Sequence, residues 1–322
     1  MFAGIGGFRA GLDRAGGFQC VGHCEIDKYA DASYRAIHDI GKEECYFPDA
    51  RKIDPGDLPD FDLLCGGFPC QPYSLSGHRR GFEDARGTLF FEIARLAEAR
   101  RPAYLWLENV FGLLSHDRGR TFCAILSTLH DLGYGLEWMV LNSADFGPPQ
   151  SRRRVFIIGY LDSRCAGKIF PVFGAGGKAL IQLVGGRQGG RVYDPAGSAC
   201  TLTAGAGGMG GKTGLYFIDL CAGEPWETGI ARCITARYGQ TTLSNHPRER
   251  SGVRLRNGRI RRLLPRECLR LQGFAEDQID RLLAITSDSQ AYKQAGNSVT
   301  VDIVEAIGRR LRAVDAELRG SA

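Results

Sequence analysis

The stretch that most constrains the fold is Phe61-Asp62-Leu63-Leu64-Cys65-Gly66-Gly67-Phe68-Pro69-Cys70-Gln71-Pro72. A short apolar run that closes on two glycines reads as a buried strand ending in a tight loop. In open α/β sheets, ligands gather beyond the carboxyl ends of the strands, and Pro69, with its φ fixed, restricts how the following side chain is aimed. Cys70 therefore stands where a parallel sheet presents reactive groups. A cysteine by itself is more often a small buried hydrophobe than a catalyst, so its surroundings decide the reading.

Other segments repeat the strand-then-polar pattern. Residues 18–24 read as a strand ending at Glu25-Ile26-Asp27, and a carboxylate at the end of the second strand of such a unit can accept hydrogen bonds from ribose hydroxyls. Residues 103–107 form a third apolar run, ending in Glu108-Asn109-Val110, which sets Glu108 on the same crest as Cys70. A fourth, residues 155–159, follows Gln150-Ser151-Arg152-Arg153-Arg154. Helices are expected after the glycine-rich residues 2–8, where close backbone approach to a ligand is possible, and from Leu89 onward. Two more are expected: one opened by Pro265 and stopped by Gly273, and an amphipathic one from about Thr300 to Leu311.

With 322 residues the chain can bury one large or two modest cores. No apolar run reaches the roughly 18 residues that span a bilayer, and no leader is evident, so a cytoplasmic location is expected. The eleven cysteines fall without CxxC pairs and the six histidines without ligand spacing, which argues against zinc and for reduced thiols. Of the 41 basic residues 34 are arginine, a side chain suited to phosphate and guanine, although codon bias explains the overall ratio as well. Residues 221–262 hold nine arginines against three glutamates, an electrostatic footprint for nucleic acid.

Taken with Gly77, Gly81, Asp84, Arg86-Gly87, Glu108-Asn109-Val110 and residues 150–154, the central stretch resembles the DNA (cytosine-5) methyltransferases, particularly the small bacterial HhaI-type enzymes. The run GFPCQPYSLSGHRRGFEDARGTLF is highly specific, and the collinear order covers nearly the whole chain. The resemblance implies an α/β fold with the Rossmann-like sheet of class I S-adenosylmethionine-dependent methyltransferases and a smaller β-rich target-recognition domain. Residues 1–160 would be catalytic and cofactor-binding, 161–275 target-recognising, and 276–322 a return to the first domain. Family members carry an apolar strand before the glycine loop, whereas this sequence starts at Met1 inside the motif. The sheet is therefore expected to lack its first, central strand and to leave backbone groups unpaired there.

The resemblance also implies roles. Cys70, Glu108, Arg152 and Arg154 form the catalytic set, with Arg154 toward the base and Arg152 toward structure or phosphate. S-Adenosylmethionine would meet Phe2, Gly4, Gly6, Gly7, Glu25, Ile26, Asp49, Ala50, Gly67, Pro69, Leu89, Asn297 and Val299. Ser76, Arg86, Gln188, Thr201 and Arg237 would contact double-stranded DNA, and no metal is implied. A monomer is expected, bacterial or phage-encoded and working at the nucleoid, with a restriction endonuclease of the same site as a partner.

Three other readings stay open. A tRNA cytosine-5 methyltransferase would share the pocket, though a recognition segment of this length favours sequence-specific DNA. A DNA-binding module without catalysis would follow if the absent strand abolishes cofactor binding. An NTPase is suggested by residues 206–213, which meet a relaxed phosphate-loop pattern, but the strand-like residues 214–218 stand where that loop needs a helix N-terminus.

Overall fold

The computed structural model describes residues 1–69, 89–174 and 263–320 with their side chains, and the backbone of short strands at 182–184, 192–193, 252–254 and 260–262. In chain order the elements are α1 (Gly7–Ala15), β1 (Gly22–Cys24), α2 (Lys28–Ile37), β2 (Cys45–Phe47), β3 (Leu63–Gly67), α3 (Leu89–Arg100), β4 (Tyr104–Val110), α4 (Arg120–Asp131), β5 (Gly135–Asn142) and β6 (Arg153–Tyr160). There follow β7 (Gln182–Val184), β8 (Val192–Tyr193), β9 (Gly252–Arg254), β10 (Ile260–Arg262), α5 (Pro265–Leu271), α6 (Glu276–Ile285), α7 (Asp288–Asn297) and α8 (Val301–Gly320). The chain divides into two compact units: Met1–Leu141 with Arg154–Val172 and Val304–Ala322, and Asn142–Arg153 with Phe173–Ile303.

In the first unit a four-stranded sheet has the order β3-β4-β6-β5, with β4 parallel to β3 and antiparallel to β6. Leu105, Trp106 and Leu107 on β4 and Val155 to Ile158 on β6 are almost wholly buried, as an inner strand covered on both faces requires. β1 and β2 form a separate parallel pair. The first residues of the chain lie between β1 and β3: the Met1 amine donates to the Cys65 carbonyl at 2.8 Å, and Ala3 N to the Cys24 carbonyl at 2.9 Å. Gly6 has φ +83°, and a Cβ there would crowd the rings of His38 and Tyr34, so only glycine lets α1 start so close to α2.

Helix α2 is capped by Asp27, whose side chain accepts from Tyr29 N. The strand expected over 18–24 is confined to Gly22–Cys24, because its partner β2 is itself only three residues long. β6 begins two residues earlier than the apolar run suggested, since β4 extends to Val110 and gives Arg154 a partner. α8 runs nine residues beyond Leu311, because Val314 and Leu318 continue the buried stripe of Ile307 and Leu311.

The second unit packs α5, α6 and α7 around Leu269, Ile279, Leu282 and Tyr292. Gly273, at φ +85°, stops α5 as expected, and the Tyr292 hydroxyl donates to the Leu263 carbonyl at 2.7 Å. β7 with β8 and β9 with β10 are antiparallel pairs. The phosphate-loop pattern at 206–213 lies outside the described residues. Among the described residues no helix is long and apolar enough to cross a membrane.

Leu105 is fully buried in the sheet's main apolar cluster. Leu105→Ala is expected to cost about 2–5 kcal/mol of unfolding free energy, read from the urea midpoint. A loss below about 1 kcal/mol would show that the layer collapses around the gap.

Candidate active site

The register of β3 on β4 sets Gly67 abreast of Glu108. On the other side of β4, Phe156 pairs with Glu108 and Arg154 with Val110. Paired residues share a face of the sheet, as do residues two apart along a strand, so Glu108 and Arg154 are diagonal neighbours on one face. Arg154 Nε stands 3.0 Å from Glu108 Oε1, with the two side chains 15% and 13% exposed. The other carboxylate oxygen lies over β3: a Cβ on Gly67 would come within 2.9 Å of Glu108 Oε2. The bare Gly67 thus leaves the space that the carboxylate uses.

Asn109 faces the opposite way and is buried. Its Nδ2 donates to the Phe68 carbonyl at 2.9 Å, and its Oδ1 accepts from Val110 N at 2.8 Å. The side chain therefore ties the end of β4 to the backbone two residues before Cys70. Phe68 is itself buried against Phe90, at a centroid distance of 5.5 Å, whereas Pro69 is exposed. Cys65, the other cysteine of this stretch, has its thiol pushed up to about 11 by burial, even with the positive chain terminus nearby. It stays a protonated, inert thiol near neutral pH.

A second group of residues gathers at β1. Glu25 is buried, and its carboxylate is gripped by two backbone amides: Gly4 N donates to Oε2 at 2.7 Å and Asp27 N to Oε1 at 2.8 Å. Ile26, next in the chain, is 66% exposed. A Cβ on Gly4 would meet nothing within 4 Å. An oriented acceptor, a bare glycine loop and an uncovered apolar side chain together fit a ligand with ribose hydroxyls and a flat apolar face.

The other expected residues fall in different places. Phe2 is half-buried at φ +54°, and Gly6 and Gly7 are buried at the start of α1. The Asp49 carboxylate is engaged by Arg51 Nε and Nη2, both at 2.9 Å, and Arg51 holds it below the usual carboxylate range. Ala50 is buried and Leu89 opens α3. Arg152 is buried in the second unit, where Nη2 donates to the carbonyls of Gly296 and Ser298 at 2.9 and 2.8 Å. Those contacts are structural rather than phosphate-facing. Asn297 is the exposed last residue of α7, and Val299 is buried beyond it; both belong to the second unit. Cys70, Ser76, Arg86, Gln188, Thr201 and Arg237 lie outside the described residues.

Sequence reasoning assigned no task to Asn109. The available signal was a polar residue at the end of an apolar, inner strand, where an amide must find partners.

A family model described as C-5 cytosine-specific DNA methylase matches residues 1–172 and 221–313. The type II methyltransferase M.NlaX of Neisseria lactamica is 36% identical over 331 aligned residues, covering 97% of this chain and 95% of the relative. The type II methyltransferase M.HhaI of Haemophilus parahaemolyticus is 32% identical, with 95% and 91% covered. Among solved structures, the S. pombe Dnmt2 methyltransferase superposes with a TM-score of 0.64 over 98% of this chain and 97% of that one, at 19% identity, a likeness of fold. On the strength of that family match and of relatives aligned nearly end to end, the chain belongs to the C-5 cytosine-specific DNA methylases.

Proposed function

We propose that this DNA cytosine-5 methyltransferase works on a cytosine turned out of a specific duplex sequence, with Cys70 as nucleophile, Glu108 and Arg154 on the base, and S-adenosylmethionine as methyl donor. The observation that carries the reading is the Glu108–Arg154 pair, 3.0 Å apart, beside the end of the strand that leads into Pro69-Cys70. The residues named for the donor are Phe2, Gly4, Gly6, Gly7, Glu25, Ile26, Asp49 and Ala50, with Glu25 as acceptor for ribose hydroxyls. When bound, the donor supplies an electrophilic methyl group on a sulfonium.

C5 of cytosine is a poor nucleophile, and the protein's task is to change that. Addition of the Cys70 thiolate forms an S–C6 bond and pushes the ring's electron pair to C5, which then carries carbanion character. Glu108 bonds N3 and the exocyclic amine and stabilises the charge that develops, while Arg154 holds O2. After methyl transfer, loss of the C5 proton and expulsion of the thiolate restore the ring. None of these atoms is accessible in a stacked pair, so the base must be extruded, at a cost of a few kcal/mol.

The arginine-rich residues 221–262 fall within the proposed target-recognition segment, 161–275. The finer fold reading is a class I sheet without its first strand in these 322 residues. A strand preceding Met1 would enter the interval that Met1 N and Ala3 N now bridge to Cys65 and Cys24. A monomer acting beside a restriction endonuclease of the same site completes the proposal.

Incubated with tritiated S-adenosylmethionine and mixed-sequence duplex DNA, the chain is expected to label DNA and Cys70→Ser is not. Equal labelling by both would sink the covalent mechanism. No labelling by either calls for the same assay with an upstream apolar strand restored; continued silence would leave a binding module. A second expectation concerns Gly67→Ala, whose Cβ must displace the Glu108 carboxylate. A displacement of about 1 Å in such a group costs about 10²-fold, so kcat/KM should fall by about that factor while the thermal midpoint changes little. An unchanged kcat/KM would mean that the carboxylate does not work from where it lies.

A further inference from the structure

His23 is buried in the middle of β1, and each of its ring nitrogens meets a carboxylate: Nδ1 is 2.9 Å from Glu44 Oε1, and Nε2 is 3.0 Å from Asp31 Oδ1. The ring stacks on Tyr34 at 4.0 Å and lies 5.1 Å from Tyr46. Glu44 is held in turn by Arg9 Nη1 at 2.9 Å and the Tyr34 hydroxyl at 3.1 Å, and Asp31 by Arg35 Nε at 2.9 Å. Burial works against a charge on Glu44, but Arg9 and the bonds from Tyr34, Arg9 and His23 outweigh it and keep the carboxyl below its usual range. Among the described residues no cluster is arranged to hold a metal.

The cluster reaches the two amides that grip Glu25. Arg9 lies on α1, directly after the loop whose Gly4 N donates to Glu25 Oε2. Asp31 lies on α2, whose N-cap Asp27 donates its amide to Glu25 Oε1. The Tyr46 hydroxyl donates to the Glu25 carbonyl at 3.1 Å. We propose that His23 is a positioning residue for cofactor binding: by bridging Glu44 and Asp31 it locks α1, α2 and β2 around Glu25, so that the carboxylate is set before the ligand arrives. The proposal rests on the reading of Glu25 as the acceptor for the donor's ribose.

Ionised carboxylates have no proton to give, so both contacts are hydrogen bonds only when both ring nitrogens are protonated. The groups facing the ring are Glu44 before β2, Asp31 and Tyr34 from α2, and Tyr46 from β2, with Arg9, Arg35 and Cys20 behind them.

The test is calorimetric titration of the full chain and of His23→Gln with S-adenosylmethionine. Glutamine can hold only one of the two carboxylates. The variant's Kd is expected to exceed that of the wild-type chain by about tenfold. In turnover the larger effect should fall on the donor's KM. A lower melting temperature with an unchanged Kd would reduce His23 to a structural role and overturn the proposal. If that variant does not fold, Asp31→Ala decides, since it removes one end of the bridge and leaves the ring in place: a raised Kd supports the proposal and an unchanged one overturns it. A wild-type chain that binds no donor at all would remove the reading of Glu25, and this proposal with it; equal binding by the two chains removes this proposal alone.

Discussion

A register one residue off between β3 and β4 would turn Glu108 to the other face of the sheet, away from Gly67 and Arg154 alike. The native register pairs Leu63 with Tyr104 and runs on to Gly67 with Glu108. It is held by the apolar layers on both faces, where Leu105, Trp106 and Leu107 have no tolerable alternative to burial. The site thus owes its geometry to residues with no chemistry of their own. Asn109 adds a second tie at the same level by bonding the Phe68 carbonyl. The backbone entering Pro69-Cys70 and the carboxylate beside it are consequently fixed to the same strand.

An ion pair at this depth is a poor means of gaining stability, because the cost of desolvating two charges rivals their attraction. Glu108 and Arg154 are each only about one-seventh exposed. What the pair secures is orientation: one carboxylate oxygen is anchored to the guanidinium, and the other is directed over the glycine. That arrangement suits a group that must bond a ring edge rather than fill a core. Cys65 makes the contrast, since burial raises its thiol and leaves it inert.

Much of this was legible in the sequence, and the reasons differ by element. Leu63–Gly67 and Tyr104–Val110 announced themselves as apolar runs, and β4, an inner strand covered on both faces, leaves no polar alternation from Tyr104 to Leu107 to obscure it. Pro265 and Gly273 marked α5 through backbone preferences that act locally. Arg152, Arg153 and Arg154 are indistinguishable in sequence, yet Arg154 faces Glu108 and Arg152 bonds carbonyls some 144 and 146 positions away. No local pattern encodes partners so distant. The length of β1 was equally hidden, because it is set by β2, its three-residue partner.

The same non-locality explains why a polar cluster surrounds β1. That strand pairs with β2 over three residues, and on its other side the Ala3 amide reaches the Cys24 carbonyl. A ladder so short fixes little, whereas Glu25 must be placed to within a hydrogen bond to serve as an acceptor. Side chains take over where the ladder ends: His23 joins Glu44 to Asp31, Arg9 ties Glu44 to α1, and Tyr46 closes on the Glu25 carbonyl. Each is a charged or aromatic group with a satisfied partner, the condition under which buried polar networks specify a single arrangement instead of weakening the core. Around β4 apolar packing sets the geometry; around β1 the polar cluster takes that role.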